Sequence, residues 1–277
     1  MKKILVLTDF SEHAGYAEKA SISIARNTGA QIVFLHGIFL GVDWIKLPKQ
    51  DESKYPEIKQ RIGHAEQLLE ERVKMAKDAG VEAIKELAFL DNYKGVSNTT
   101  LDHEHDMIVM GSHGGTGIKK ILIGSNAAKI MRTAKAPVLV VQGELPDPLT
   151  FKTIVFASGL EPDTHPAFDK LLAFADAMGA KNLHLVEVTT PNNFRPSGIV
   201  LEELKNYTNH HKSSKIHLHN HNHYNVEAGI MEFAQHVKAD LIAIANHGRT
   251  DISSLFIESI PANLVKYSDY PVLSIMV

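Results

Sequence analysis

The sequence predicts an α/β fold, two doubly wound five-stranded parallel sheets in tandem, and three observations predict it. Short apolar runs rich in β-branched residues recur along the 277 residues with amphipathic stretches between them. Strands buried on both faces and joined by crossover helices read this way. The second half repeats the first, since Asp106-Met-Ile-Val-Met-Gly-Ser-His-Gly114 lines up with Asp240-Leu-Ile-Ala-Ile-Ala-Asn-His-Gly248. A proline opens the last strand of each copy, in Ala136-Pro-Val-Leu-Val-Val141 and Tyr270-Pro-Val-Leu-Ser-Ile275, and repetition of this kind marks duplication.

In the first copy, strands are predicted at 4–7, 32–35, 107–110 and 138–141. Ser11 is an N-cap for a helix burying Ala14, Ala17 and Ala25, which Gly29 stops. A second helix is expected from about Glu57 to Ala79, with Ile58, Ile62, Ala65 and Leu69 on one face and Gly80 at its end. The polar, proline-bearing stretch 143–149 is the linker and divides the chain into domains 1–147 and 148–277. The second copy has strands at 154–157, 183–186, 241–245 and 272–276, with helices starting near Asp163, Gly198 and Val226.

Composition narrows the function. Hydrophobic residues make up 44% and charged ones 22%, the balance of a globular protein with a sizeable core. A net charge of −3 gives no electrostatic footprint for nucleic acid or anionic lipid. Absence of cysteine removes disulfides, thiolate metal sites and a cysteine nucleophile, and fits a reducing cytoplasm. Two lysines precede the first apolar run, but it ends at Asp9, far short of the roughly 7–15 residues of a signal h-region or the ~20 of a membrane span.

Chemistry concentrates after the fourth strand, where Gly111-Ser112-His113-Gly114 is followed by nine residues and then Gly124-Ser125-Asn126. Backbone N–H groups hold a polyanion best where no side chain keeps it at a distance. Gly124 and Ser125 open a helix, so free amides, the helix dipole and a hydroxyl can face phosphate oxygens. No Gly-Lys-Ser/Thr closes the segment, so it is not a Walker loop; nor is it the dinucleotide fingerprint, which would follow the first strand. In strand order 3-2-1-4-5 the switch point lies between strands one and four, and Asp9 and Gly111 end those strands.

These residues resemble the universal stress protein family, whose nucleotide-binding members carry Gly-x-x-Gly, nine residues, then Gly-Ser/Thr. Gly111, Gly114, Gly124 and Ser125 match every fixed position, and Thr8-Asp9-Phe10-Ser11, Leu35-His36 and the proline-led last strand are also similar. The resemblance implies an adenine-nucleotide alpha-hydrolase-like fold that binds ATP, with Mg²⁺ or Mn²⁺ at the phosphates left open. It places Asp9, beside Thr8, near ribose and phosphates, and the backbone of Gly37 against adenine, where the family usually has an aliphatic residue. It also implies that the last strands, 138–141 and 272–277, pair the two copies as a pseudo-dimer, with further homodimerisation open. The expected function is ATP-dependent regulation of the stress response through an unidentified protein partner. The second copy departs from the pattern, with Ala245 for Gly111, Glu258 for Gly124 and Gly159 for Asp9; only Ser259 keeps the hydroxyl, so ATP is expected in the first copy alone.

Alternatives stay open at this level. Asp9 equally suits helix entry. Lys119 and Lys120 suit either phosphate neutralisation or a solvated loop, and Ser125 or Thr116 would be the acceptors of a slow ATPase or autophosphorylating enzyme. No Ser-His-Asp or paired-carboxylate arrangement is apparent from spacing, and His113 and His247 recur in both copies, which favours a structural role. The row His217, His219, His221, His223 puts alternate imidazoles on one strand face, a spacing at which a pair can reach one Zn²⁺. A polar sheet edge that discourages pairing explains the same row.

Overall fold

The computed structural model describes residues 1–90, 104–112, 125–211, 213–247 and 260–277, with the side chain of Ser125 outside that set. In the first half the order is β1 (Lys3–Leu7), α1 (Glu12–Thr28), β2 (Gln31–Phe39), α2 (Pro56–Asp78), β3 (Ala83–Leu90), β4 (Met107–Gly111), α3 (Ser125–Thr133) and β5 (Val138–Val141). In the second it is β6 (Thr153–Ala157), α4 (His165–Ala177), β7 (Asn182–Thr189), α5 (Ser197–Tyr207), β8 (Ile216–Asn222), α6 (Val226–His236), β9 (Leu241–Asn246), α7 (Ile260–Tyr267) and β10 (Val272–Met276).

The two expected five-stranded sheets are halves of one ten-stranded sheet in the order β3-β2-β1-β4-β5-β10-β9-β6-β7-β8. Each half runs 3-2-1-4-5 and is parallel throughout, because crossover helices return every strand in the same direction. The halves join where β5 pairs antiparallel with β10, Leu139 opposite Leu273, so the last strands do meet within one chain as a pseudo-dimer. Two polar bonds cross this seam in opposite senses. Asn246 Nδ2 donates to the Met131 carbonyl (2.7 Å), and Gln142 Nε2 to the Val265 carbonyl (3.3 Å).

Apolar runs fill both sheet faces. One face packs Ile4, Val6, Phe34 and Met107 with α1 and α2, and continues through Ile154, Phe156 and Leu185 to Phe168 and Leu204 of α4 and α5. The other packs Leu5, Val33, Ile108 and Ile242 with Ile130, Phe233 and Leu264 of α3, α6 and α7. The repeat extends to local devices. Asp106 Oδ2 accepts from the Lys3 amide (2.9 Å) as Asp240 Oδ2 accepts from that of Thr153 (2.8 Å), tying the start of the fourth strand to the first in each copy.

Helix limits follow their caps. Ser11 Oγ accepts from the Ala14 amide (3.3 Å), and Gly29 closes α1 at φ 70°. The apolar-run criterion did not locate β3, because this edge strand has an exposed Lys85 and a half-exposed Glu86 in its middle. No helix among the described residues is long and apolar enough to cross a membrane.

Candidate functional site

Strands β1 and β4 are neighbours, Leu7 opposite Met110, so the switch point of the first half lies between their C-terminal ends, where doubly wound sheets form their ligand crevice. Asp9 follows β1 directly and is exposed there, its Oδ1 accepting from the Ser11 amide (3.1 Å). It thus serves helix entry at the C-terminal end of β1. Gly37 lies two residues beyond Leu35, the partner of Leu7, so β2 overhangs β1 at the same end.

Gly111 has a reason for being glycine that differs from the expected one. A Cβ there would lie 2.7 Å from both the carbonyl carbon and the oxygen of His13. The missing side chain lets the first turn of α1 sit directly against the end of β4, which brings that helix N-terminus to the crevice floor. Ser112 is buried, and its amide donates to the Val141 carbonyl (3.1 Å), so that N–H belongs to the sheet. His113, Gly114 and Gly124 lie outside the described residues, as do Thr116, Lys119 and Lys120. Ser125 opens α3, and Asn126 is exposed in its first turn.

Beneath Asp9 lies a network that sequence reasoning missed. The Thr8 hydroxyl donates to Glu18 Oε1 (2.5 Å) and accepts from the Phe10 amide (3.0 Å). Arg72 Nε donates to Glu18 Oε2 (3.1 Å), and its guanidinium lies 5.4 Å from the centre of the Phe10 ring. His36 Nδ1 donates to the Thr8 carbonyl (2.8 Å), because a carbonyl can only accept, and its ring lies 4.5 Å from that of Phe10. Burial pushes the His36 imidazole below its usual range, against the opposing pull of that carbonyl.

The second half builds the same turn with other chemistry. Phe10 (φ 63°) and Leu160 (φ 65°) both take the left-handed conformation, and the Leu160 amide donates to Ser158 Oγ (3.1 Å). Ser158 then meets Thr164 Oγ1 (3.3 Å), which meets the Tyr207 hydroxyl (2.9 Å), a chain with no charge. Gly159 stands where Asp9 would be and is itself exposed, and a Cβ on it would lie 2.5 Å from Oε1 of the exposed Glu161 side chain. His247, after β9, lies 3.9 Å from Glu161 and 3.5 Å from Asp163. Glu187 occupies the position of His36; burial raises its pKa while its ion pair with Arg195 opposes the rise.

The two turns differ in their charged neighbours: the first bears the exposed carboxylate of Asp9, and the second has Glu161 and Asp163, both more than half exposed, beside His247. Glu258 and Ser259 lie outside the described residues.

The expectation of a metal site at His217, His219 and His221 gains no support from the structure. Among the described residues no group of three or more His, Cys, Asp or Glu side chains is arranged to hold a metal ion. The row does share the face of β8 toward α6, but each ring has another partner. His219 Nε2 bonds His184 Nδ1 (2.9 Å), His217 stacks on His184 at 5.0 Å, and His221 pairs with Glu232 (3.2 Å). The rings pack on one another and on Phe233, whose ring lies 4.8 Å from that of His219.

A duplicated doubly wound α/β chain with its crevice at the switch point defines the class of protein. Its sequence matches the profile of the universal stress protein family over residues 1–142 and again over 150–275. The chain belongs to the universal stress protein family. Two universal stress proteins of Methanocaldococcus jannaschii are each 30% identical to it over about half its length, covering 82% and 94% of their own. Among solved structures, a universal stress protein from Archaeoglobus fulgidus matches with a TM-score of 0.75 at 20% identity, over 99% of this chain and 98% of that one. A putative universal stress protein from Pseudomonas aeruginosa matches with a TM-score of 0.67 at 16% identity, over 100% of this chain and 93% of that one.

Proposed function

We propose that this chain is an ATP-binding regulator of the stress response that holds nucleotide in its first half only and acts from the cytoplasm through a protein partner. The domain division that goes with this reading is 1–147, carrying the intact Gly111, Gly114, Gly124, Ser125 pattern, and 148–277, carrying the degenerate one. The observation that supports it most is the unequal chemistry of two equivalent turns: Asp9 follows β1, whereas Gly159 follows β6 with the carboxylates of Glu161 and Asp163 beside His247. In this reading Asp9 and the backbone at Gly37 orient the nucleoside. The amides of the glycine segment and the start of α3 take the phosphates, and a divalent cation would shield them. Occupancy is then sensed by the second half or the partner.

Calorimetric titration of the full chain with ATP tests this. One site per chain is expected, and Asp9→Asn and Gly114→Val should each weaken it by at least about tenfold, the loss expected when a charged contact or a close backbone approach is removed. Unchanged affinity in both variants, or no heat in the wild type, rejects the reading.

A further inference from the structure

Glu18 is an anomaly on its helix. It is 2% exposed on a face otherwise made of Ala14, Ala17, Ala20, Ser21 and Ile24, where alanine or leucine would pack with no charge to desolvate. A carboxylate survives there because both oxygens are held, Oε1 by the Thr8 hydroxyl (2.5 Å) and Oε2 by Arg72 Nε (3.1 Å).

We propose that Glu18 and Arg72 are positioning residues of the first-half crevice, fixing the turn Thr8-Asp9-Phe10 from beneath so that the Asp9 carboxylate is presented at a constant angle. A hydroxyl rotates freely until its proton is committed. Once Thr8 donates to Glu18, its lone pairs face the Phe10 amide, 3.0 Å away, and that bond helps hold Phe10 at φ 63°, a conformation L-residues otherwise avoid. Arg72 acts on both ends of the turn, binding Glu18 through Nε and capping the Phe10 ring with its guanidinium. Since α2 carries Arg72, α1 carries Glu18 and β1 leads into Asp9, three elements converge on one exposed side chain.

The second half supplies the control. Ser158, Thr164 and Tyr207 hold the same turn at Leu160 with hydroxyls alone. The charged pair is therefore not required to make the turn. The Glu18–Arg72 pair occurs where the turn bears a carboxylate, Asp9; where the turn bears Gly159, the buried pair lies instead at the position of His36, as Glu187 with Arg195.

This inference deepens the ATP reading and rests on it, so two readouts on the full chain are used. The first is ATP affinity by calorimetry. Arg72→Met, which strands the buried carboxylate, should weaken ATP by about tenfold or more, Glu18→Gln by about threefold, and Arg72→Lys should recover most of the first loss. Thr164→Val with Tyr207→Phe, which removes the second-half chain, should leave affinity within about twofold. The second is hydrogen exchange of the Phe10 amide without nucleotide, which should quicken about tenfold in Arg72→Met and much less in Arg72→Lys. If wild-type protein binds no ATP while Phe10 exchange follows this order, the ATP reading fails and the positioning role stands. The inference is overturned if Glu18→Gln and Arg72→Met both bind ATP within twofold of wild type, or if Phe10 exchange is unchanged in both. Should Arg72→Met not fold, Glu18→Gln against Arg72→Lys decides by the same criteria.

Discussion

The turns after β1 and β6 have the same backbone and opposite surroundings. Both place a left-handed residue third, at Phe10 and Leu160, and both satisfy its amide with the hydroxyl two residues earlier. In the first half a buried Glu18–Arg72 pair lies below and an exposed Asp9 stands on top; in the second a neutral hydroxyl chain lies below and Gly159 takes the place of the carboxylate. Duplication preserved the part of the turn that the fold requires. What differs is the chemistry, and the difference tells scaffold from site within a single molecule.

The largest effect that would sharpen this comparison concerns Gly111 against Ala245. Gly111→Ala drives a Cβ into the backbone of His13 at 2.7 Å and should lower stability by about 2–3 kcal/mol in urea unfolding. Ala245→Gly, which makes the second half resemble the first, should lower it by only about 1 kcal/mol. Equal effects would mean that the close approach of α1 to β4 is not particular to the first half.

Next comes the seam. Asn246→Ala leaves the Met131 carbonyl without its 2.7 Å donor and should lower the unfolding free energy by about 1–2 kcal/mol. Gln142→Ala, which removes the longer 3.3 Å bond to Val265, should lower it by less.

Acid should weaken the second half more than the first. His184 is held down to about 4 by burial and by its neighbours His219 and His217, and His219 is also lowered, first by burial and then by His217 and His236. Their folded pKa values lie below the unfolded value, so the neutral form is the one folding favours. This stabilisation is complete above about pH 6.5 and is lost as pH falls toward 4, where the unfolded chain binds more protons. Because His184 and His219 keep partial access to water, the loss between pH 7 and pH 5 should be about 1 kcal/mol, below the full linkage limit. His184→Leu should flatten that slope. A wild-type urea midpoint that does not move between pH 7 and pH 5 would refute it.

The smallest effect is at the surface, where Lys19→Ala should change the unfolding free energy by less than about 0.5 kcal/mol, since Lys19 and Glu144 are both well exposed. A larger change would mean that the linker is held more tightly than its contacts imply.

Much of this was legible in the residues. Continuous apolar runs gave away the central strands, because burial on both faces leaves no room for polar residues, and the alignment of Asp106 with Asp240 exposed the duplication. The proline-led β5 and β10 marked the strands that join the halves. Edge strand β3 escaped because its polar residues interrupt any apolar run. Glu18 and Arg72 were invisible for a different reason: they lie 54 positions apart and meet only through the packing of α1 with α2. The row at His217 and His219 stayed open between metal ligands and a polar sheet edge, because its neighbour His184 comes from another strand, 35 positions from His219. Gly111 was singled out for a close approach of phosphate, whereas the neighbour that forbids a side chain there is the backbone of His13.

The central claim is that one crevice of two is built for nucleotide. The most direct test is photocrosslinking of the full chain with an azido-ATP analogue, followed by peptide mapping. The account predicts a single label per chain, competed by ATP, on peptides from the β1, β2 and β4 ends of the first half and lost in Asp9→Asn. Label on peptides around Glu161 and His247, or equal label in both halves, would contradict it.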